Sequence, residues 1–300
     1  MRLVSASLAL SASLVASAIA AGAAEAQIVY ADVIKNLEYS QSGPTTVAPL
    51  DGGVNAFFTA RAFFQNPTDF DGGYVTFSGP ASPQIFNITG YIECCGGDHF
   101  GRGYQTSYMT QAALNTAFPD GAYAITAFNS ATSNSQTVSV TYAQDIFTSA
   151  IPELSAASYA ALQGANPGQG LTVSFNSFTP NAAANLAEGF FTVFDTTTDT
   201  TVFNDDGFSP STTSVFIPAD TLSAGNSYDW QLIFDDEVTG TQGAVDTTFR
   251  SDMRTDGSFT AGAVPEPATW AVMVGGLMAA GAVARRRRAR SAPGAVRATA

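Results

Sequence analysis

Few residues in this chain are able to do chemistry, and they are unevenly placed. Both cysteines and the only histidine fall in the segment Glu93, Cys94, Cys95, Gly96, Gly97, Asp98, His99. Thiolates and an imidazole could hold copper or zinc, but adjacent cysteines do not match the spacing of common zinc motifs. In an oxidising compartment Cys94 and Cys95 read instead as a vicinal disulfide in a Gly-rich loop, or as a link between molecules. A second set is acidic: Asn66, Asp69 and Asp71 precede Gly72, Asn204, Asp205 and Asp206 precede Gly207, and Asp235, Asp236 and Glu237 follow an aromatic strand. Calcium takes hard oxygen ligands in flexible loops, so Asp69, Asp71, Asp205 and Asp206 are candidate calcium ligands. The same strings suit β-turns without an ion, and none has the EF-hand spacing.

Catalytic parts are scarce. His99 and Lys35 are each the only residue of their type, and neither sits in a nucleophile-elbow, zinc-protease or phosphate-loop motif. A pair of carboxylates, as in glycoside hydrolases, is not excluded by counting acids. The expectation is a protein that is not an enzyme, with a secreted hydrolase using paired carboxylates as the third reading.

Charge narrows the partners. The chain has 12 basic and 25 acidic residues. Setting aside Arg2 and Glu25 at the front, and Glu266 with six arginines at the back, leaves 5 basic and 23 acidic residues, a net charge of −18. Such a surface repels nucleic-acid phosphates and anionic lipid. No nucleic acid is expected as a partner.

The elements that must position these residues are strands. Phe, Val, Thr and Tyr are abundant between the two ends, turns are marked by Asn, Asp, Gly and Pro, and long helical periods are missing, which is an all-β composition. Residues 154–164 alone look briefly helical, and Ala156, Ala157, Ala160 and Ala161 there suit an interdomain turn equally well. Tyr228, Trp230, Leu232 and Phe234 alternate with Asp229, Gln231, Ile233 and Asp235, the period-two pattern of a half-buried strand. Upstream strands are expected at 171–175, 190–194, 201–203 and 214–217, and two closing strands at 247–253 and 257–260. Leu222, Gly225 and Tyr228 resemble the tyrosine corner of immunoglobulin-like and fibronectin type III domains. Leu114, Phe118, Pro119, Gly121 and Tyr123 form a diverged version of it. The resemblance implies tandem β-sandwich domains at 27–150 and 151–262, divided near Ile151, Pro152 and Glu153, although one long sandwich could also use two such corners.

Both ends carry addresses. Arg2, an apolar stretch over 3–20 and the small residues before Gln27 read as a signal peptide at 1–26. At the other end, residues 268–284 are 17 positions without a charge, which at about 1.5 Å per residue just spans a membrane as a single transmembrane helix. Trp270 suits the outer headgroup layer, and Arg285, Arg286, Arg287 and Arg288 hold the inner side. Pro265, Glu266 and Pro267, then Trp270 and Ala271, the Gly-rich apolar run and four arginines resemble a PEP-CTERM sorting tail of the subtype with Trp-Ala after the proline motif. That resemblance covers 263–290, about a tenth of the chain, and leaves 291–300 as a cytoplasmic remnant. It implies transient membrane insertion, cleavage by an exosortase, and delivery to the cell surface or extracellular matrix, with exopolysaccharide as the environment. The expected function is therefore non-enzymatic and structural, with a carbohydrate-binding or adhesive module as the second reading.

Overall fold

The computed structural model describes residues 28–50, 55–64, 74–80, 82–88, 90–94, 99–130 and 133–262, with the side chains of 82–94, 99, 100 and 206 left aside. The signal segment, Asp69, Asp71, Cys95 and the tail residues Pro265, Glu266, Pro267, Trp270, Ala271 and Arg285 to Arg288 lie outside the described residues. Among the described residues no helix is long and apolar enough to cross a membrane.

The described chain is mostly β-sheet, because its apolar residues alternate. The first half gives β1 (Ile28–Gly43), β2 (Thr46–Pro49), β3 (Ala56–Phe64), β4 (Tyr74–Gly79), β5 (Ser82–Ile88), β6 (Gly90–Cys94), β7 (His99–Tyr108), helix α1 (Gln111–Ala117), β8 (Gly121–Asn129) and β9 (Asn134–Tyr142). The second gives α2 (Ala156–Leu162), β10 (Leu171–Ser174), β11 (Leu186–Asp195), β12 (Thr200–Phe208), β13 (Ser214–Ile217), β14 (Ser227–Gln242) and β15 (Val245–Thr260). One long sheet runs β12-β11-β14-β15-β1-β3-β7-β6, with β2 paired to β1; β5-β4-β8-β9 and β10-β13 form two smaller sheets.

Two cores lie under the long sheet. The first packs Val33, Phe58 and Ala60 against Phe77, Tyr123, Ile125 and Val140 of the four-stranded sheet. Its centre is aromatic: Phe58 stacks on Phe118 at 3.8 Å between ring centroids, and Phe77 on Tyr123 at 5.4 Å. The second packs Phe191, Trp230, Leu232 and Phe234 against Val173, Val215, Ile217 and Leu162. Ile146 belongs to the first core and Leu154 to the second, so the cores divide around residue 150. Yet Val245 and Phe249 of β15 are buried in the first core while Phe259 is buried in the second. At about 3.3 Å per residue, a strand of 16 residues is roughly 50 Å long. Both cores share it.

Three local readings change. The two closing strands are the single strand β15, because Arg254, Thr255 and Asp256 keep their ladder with Ile233, Leu232 and Gln231. Asp235, Asp236 and Glu237 lie inside β14 and not in a loop after it. Helix α1 was not expected: Thr110 caps it by accepting from Ala113 N at 3.2 Å, and it buries Leu114 and Phe118, four apart on one face. Of the helix and the turn left open at 154–164, the structure has the helix α2, capped by Ser155, whose hydroxyl accepts from Ser158 N at 3.2 Å.

Both tyrosines tie their corners. Tyr228 Oη accepts from Ser223 N at 2.6 Å and donates to Ser223 O at 3.3 Å, and Tyr123 Oη donates to Pro119 O. Gly257 is where Trp230 lies flat on β15: a Cβ there would sit 2.5 Å from Cζ2. Replacing Gly257 by Ala is expected to lower the unfolding free energy by about 1–3 kcal/mol through overpacking. Gly240→Ala, whose Cβ meets only Thr247 Oγ1 at 3.6 Å, is expected to change it by about 0.5 kcal/mol or less. Urea denaturation of the two variants beside the wild type checks the contrast.

Candidate binding face

The face of the long sheet turned away from both cores carries the charge. Register places Asp32 opposite Arg61, Arg250 opposite Glu237, Asp252 opposite Asp235, and Arg254 opposite Glu38. Asp32 is fully buried and takes a bidentate fork from Arg61. Arg250 Nη1 reaches Asp235 Oδ2 at 3.1 Å and Glu237 Oε1 at 3.2 Å, and its Nε lies 3.5 Å from Asp252 Oδ1. Arg254 forks onto Asp256, Nε to Oδ1 at 2.9 Å and Nη2 to Oδ2 at 2.8 Å, and approaches Glu38 Oε1 at 3.4 Å. The Gln231 amide is satisfied when its oxygen faces Arg254, 2.7 Å from Nε. Three of the five cations between the two ends thus sit on one face, each among acids.

These pairings set the acidities. Burial raises the Asp235 carboxyl well above the usual range, and the Asp252 charge beside it adds to this. The two carboxyls stand directly opposite each other in the ladder, where like charges repel, and this favours the protonated form of Asp235. Burial also raises Glu38, against the opposing pull of Arg254. On the core side of β14, Asp236 is pushed up to about 6 by burial, relieved only by the amide of Asn181, which donates to Oδ2 at 2.8 Å.

Beside the ladder, toward the β11–β12 end, an open groove of about 710 Å³ is lined by Thr192, Phe194, Thr201, Gln231, Arg254 and Asp256 among others. The lining combines a half-buried aromatic ring with hydroxyls and planar polar groups. It can stack on an apolar ring face and exchange hydrogen bonds with hydroxyls. The carboxyls with raised pKa, Glu38, Asp235 and Asp236, do not line it.

The expected sites fall elsewhere. Asp205 is in edge strand β12 opposite Phe191, next to a register shift and to Gly207, whose φ is +121°; Asp206 is in the same strand. The string Asn204, Asp205, Asp206, Gly207 is a bulged strand and not the loop read from sequence, since a positive-φ glycine serves a bulge as well as a turn. Among the described residues no three His, Cys, Asp or Glu side chains converge as a metal-binding group. Cys94 closes β6, opposite His99 in the backbone register of β7. The charged face itself was missed. Its signal was the acid or arginine at every second position of 250–256, read as a strand but not as a paired face.

No family model and no curated protein matches the chain. Among solved structures it is similar to the chicken CNTN1 FN1–FN3 domains, at 14% identity and a TM-score of 0.25, with 73% of this chain and 67% of that one covered. It is also similar to a set of domains from titin, at 9% identity and a TM-score of 0.20, with 75% of this chain and 65% of that one covered. The chain thus spans about two thirds of the length of each. Neither superposition is close enough to carry an argument.

A pH dependence follows from the buried acids. Unfolded aspartates titrate near 3.9, whereas Asp236 titrates at about 6 in the fold and Asp235 is also raised. The folded chain then holds the extra protons, so stability is expected to fall as pH rises from about 4 through 6. Asp145 and Asp195 are lowered and act with the opposite sign, on the acid side of the ordinary carboxylate range. Asp236→Asn is expected to flatten the slope between about 4 and 6. Urea midpoints of wild type and variant across that window measure it, and equal slopes would contradict the assignment.

Proposed function

We propose that this chain is an exported, non-enzymatic protein of the cell surface or extracellular matrix, a β-sandwich scaffold of immunoglobulin or fibronectin III type carried between two targeting segments. The observation that carries the reading is the order of parts at 265–288: Pro-Glu-Pro, Trp270-Ala271, an uncharged run and four arginines. The signal peptide at 1–26 starts export, the tail holds the chain briefly in the inner membrane, and an exosortase cuts near Pro265. The scaffold fits the role. Its arginines are engaged by acids on one face, and its raised carboxyls lie away from the groove, where a general acid for sugar hydrolysis would have to stand.

A second reading has one specific observation in its favour. The groove beside Arg254 offers Phe194, Gln231 and hydroxyl side chains, a lining suited to a carbohydrate chain such as exopolysaccharide. Intact-mass analysis of the protein from the outer surface of its native cells, beside an exosortase-deficient strain, tests the first reading. The expected mass lacks residues 1–26 and the tail beyond Pro265, and the tail returns in the deficient strain; an uncut tail in both makes the chain a permanent membrane protein. For the second, titration with purified exopolysaccharide is expected to show binding that weakens on Gln231→Ala or Phe194→Ala. Stacked aromatic contacts of this kind are worth about 0.5–1.5 kcal/mol, or roughly a 2- to 13-fold loss of affinity.

A further inference from the structure

Lys35 is the chain's only lysine, and its side chain is fully buried. Its Nζ donates to Asn115 Oδ1 at 2.9 Å and to Asp145 Oδ1 at 2.8 Å. Asn115 Nδ2 in turn donates to Asp145 Oδ2 at 2.6 Å. The three side chains close a triangle. Gln111 Nε2 steadies the same Oδ2 at 3.0 Å, the Tyr142 ring covers Nζ at 4.3 Å, and Asp120 lies 3.7 Å from it toward solvent. A carbonyl bond is about 1.23 Å, so the Asn115 amide carbon is within about 4 Å of the lysine nitrogen. An ion pair alone would satisfy Lys35. It would not require that one carboxylate touch both the amine and the amide nitrogen that a reaction between them would expel.

We infer that Lys35 and Asn115 become joined by an isopeptide bond that the folded chain makes on itself, with Asp145 moving the protons. The ammonium of Lys35 gives a proton to Asp145 Oδ1, and the free amine attacks Asn115 Cγ, forming the Nζ–Cγ bond. Asp145 passes its proton to Nδ2, the Cγ–Nδ2 bond breaks, and with the second proton shed by Nζ the leaving group departs as ammonium. Charge and atoms balance, and no oxidant or co-reactant enters. Three features favour the step: the amine is held within about 4 Å of the carbon it attacks, Nζ is fully buried under the Tyr142 ring and so shielded from water, and Asp145 is partly exposed, which gives ammonia an exit. The bond would tie β1 in the long sheet to α1, 80 positions away, and unlike a disulfide it survives reducing agents. It does not depend on the sorting reading.

The test is a tryptic peptide map of the purified, folded full chain by tandem mass spectrometry, with its intact mass. Trypsin does not cut after an acylated lysine. The expected result is no cleavage after Lys35, a branched peptide joining the fragment that ends at Arg61 to fragment 103–250, and a loss of one ammonia. Cyclisation of an N-terminal Gln27 also loses ammonia, so the branched peptide decides. Asn115→Ala and Asp145→Asn are expected to restore cleavage after Lys35 and the full mass. Folded wild-type protein cut cleanly after Lys35, with no branched peptide, overturns the proposal whatever the variants do. A branched peptide that forms as fast in Asp145→Asn overturns the role given to Asp145.

Discussion

The parallel ladder between the first described strand and the last holds this molecule together. Tyr30 to Ser40 of β1 run alongside Asp246 to Asp256 of β15 without a register break. Parallel strands need a crossover, and here the crossover is residues 44–244, about two thirds of the chain. Without it, β3, β7 and β6 on one side and β14, β11 and β12 on the other would be separate sheets. With it, two cores hang from one sheet, and the first, which buries Ala31 and Val33 of β1 beside Val245 and Phe249 of β15, is complete only when the two strands have met. Such a long-range contact is costly in loop entropy, and chains that depend on contacts of this kind fold slowly.

The ladder also fixes the parity of every side chain along two strands of 16 residues. Positions 228, 230, 232 and 234 enter the second core, position 238 packs on the first, and position 236 falls where the cores meet. The residues in register there are Asp236, Ser251 and Lys35, a polar row between two apolar regions. Ser251 Oγ is shared by Tyr142 Oη at 2.5 Å and Ile146 N at 3.2 Å. Close by, Gln41 exchanges hydrogen bonds with Leu154, and Thr255 donates to Pro152 O. These bonds satisfy the chain as it crosses from one core to the other, where an unpaired amide would cost about 1–3 kcal/mol. The seam is polar because the backbone passing through it must be answered.

On the opposite face the same parity collects acids, and three arginines keep them from repelling one another. Exposed ion pairs contribute about 0–1 kcal/mol. Those around Asp32 and Asp235 differ, since both carboxyls are within 2% of full burial; removing a partner there leaves a buried charge, at about 3–5 kcal/mol. An acidic protein with so few cations therefore spends three of them holding one sheet face in order. That leaves the rim of the groove, where Arg254 is a third exposed, as the part of the face free to meet a ligand.

The sequence by itself determined the local parts. Alternation at 228–235 specified the first half of β14 and the burial of Trp230, and the glycines and tyrosines specified the two corners, because each depends on neighbours a few positions apart; the small-residue run at 156–162 left helix and turn equally open, and the fold made it α2. Helix α1 was hidden: seven residues are too few for a helical period, and Phe118 reads equally well as a strand residue. The joining of β1 to β15, the face where Arg61, Arg250 and Arg254 meet their acids, and the triangle of Lys35, Asn115 and Asp145 were decided only by the tertiary structure. Their partners include residues 15, 29, 80, 110 and 216 positions apart that strands bring together across the sheet, and no local pattern encodes which residue will stand opposite which. In β1 the row of Ala31, Val33 and Leu37 faces the core and Lys35 stands in it, but a row fixes only which side a residue faces and not which residue it will meet.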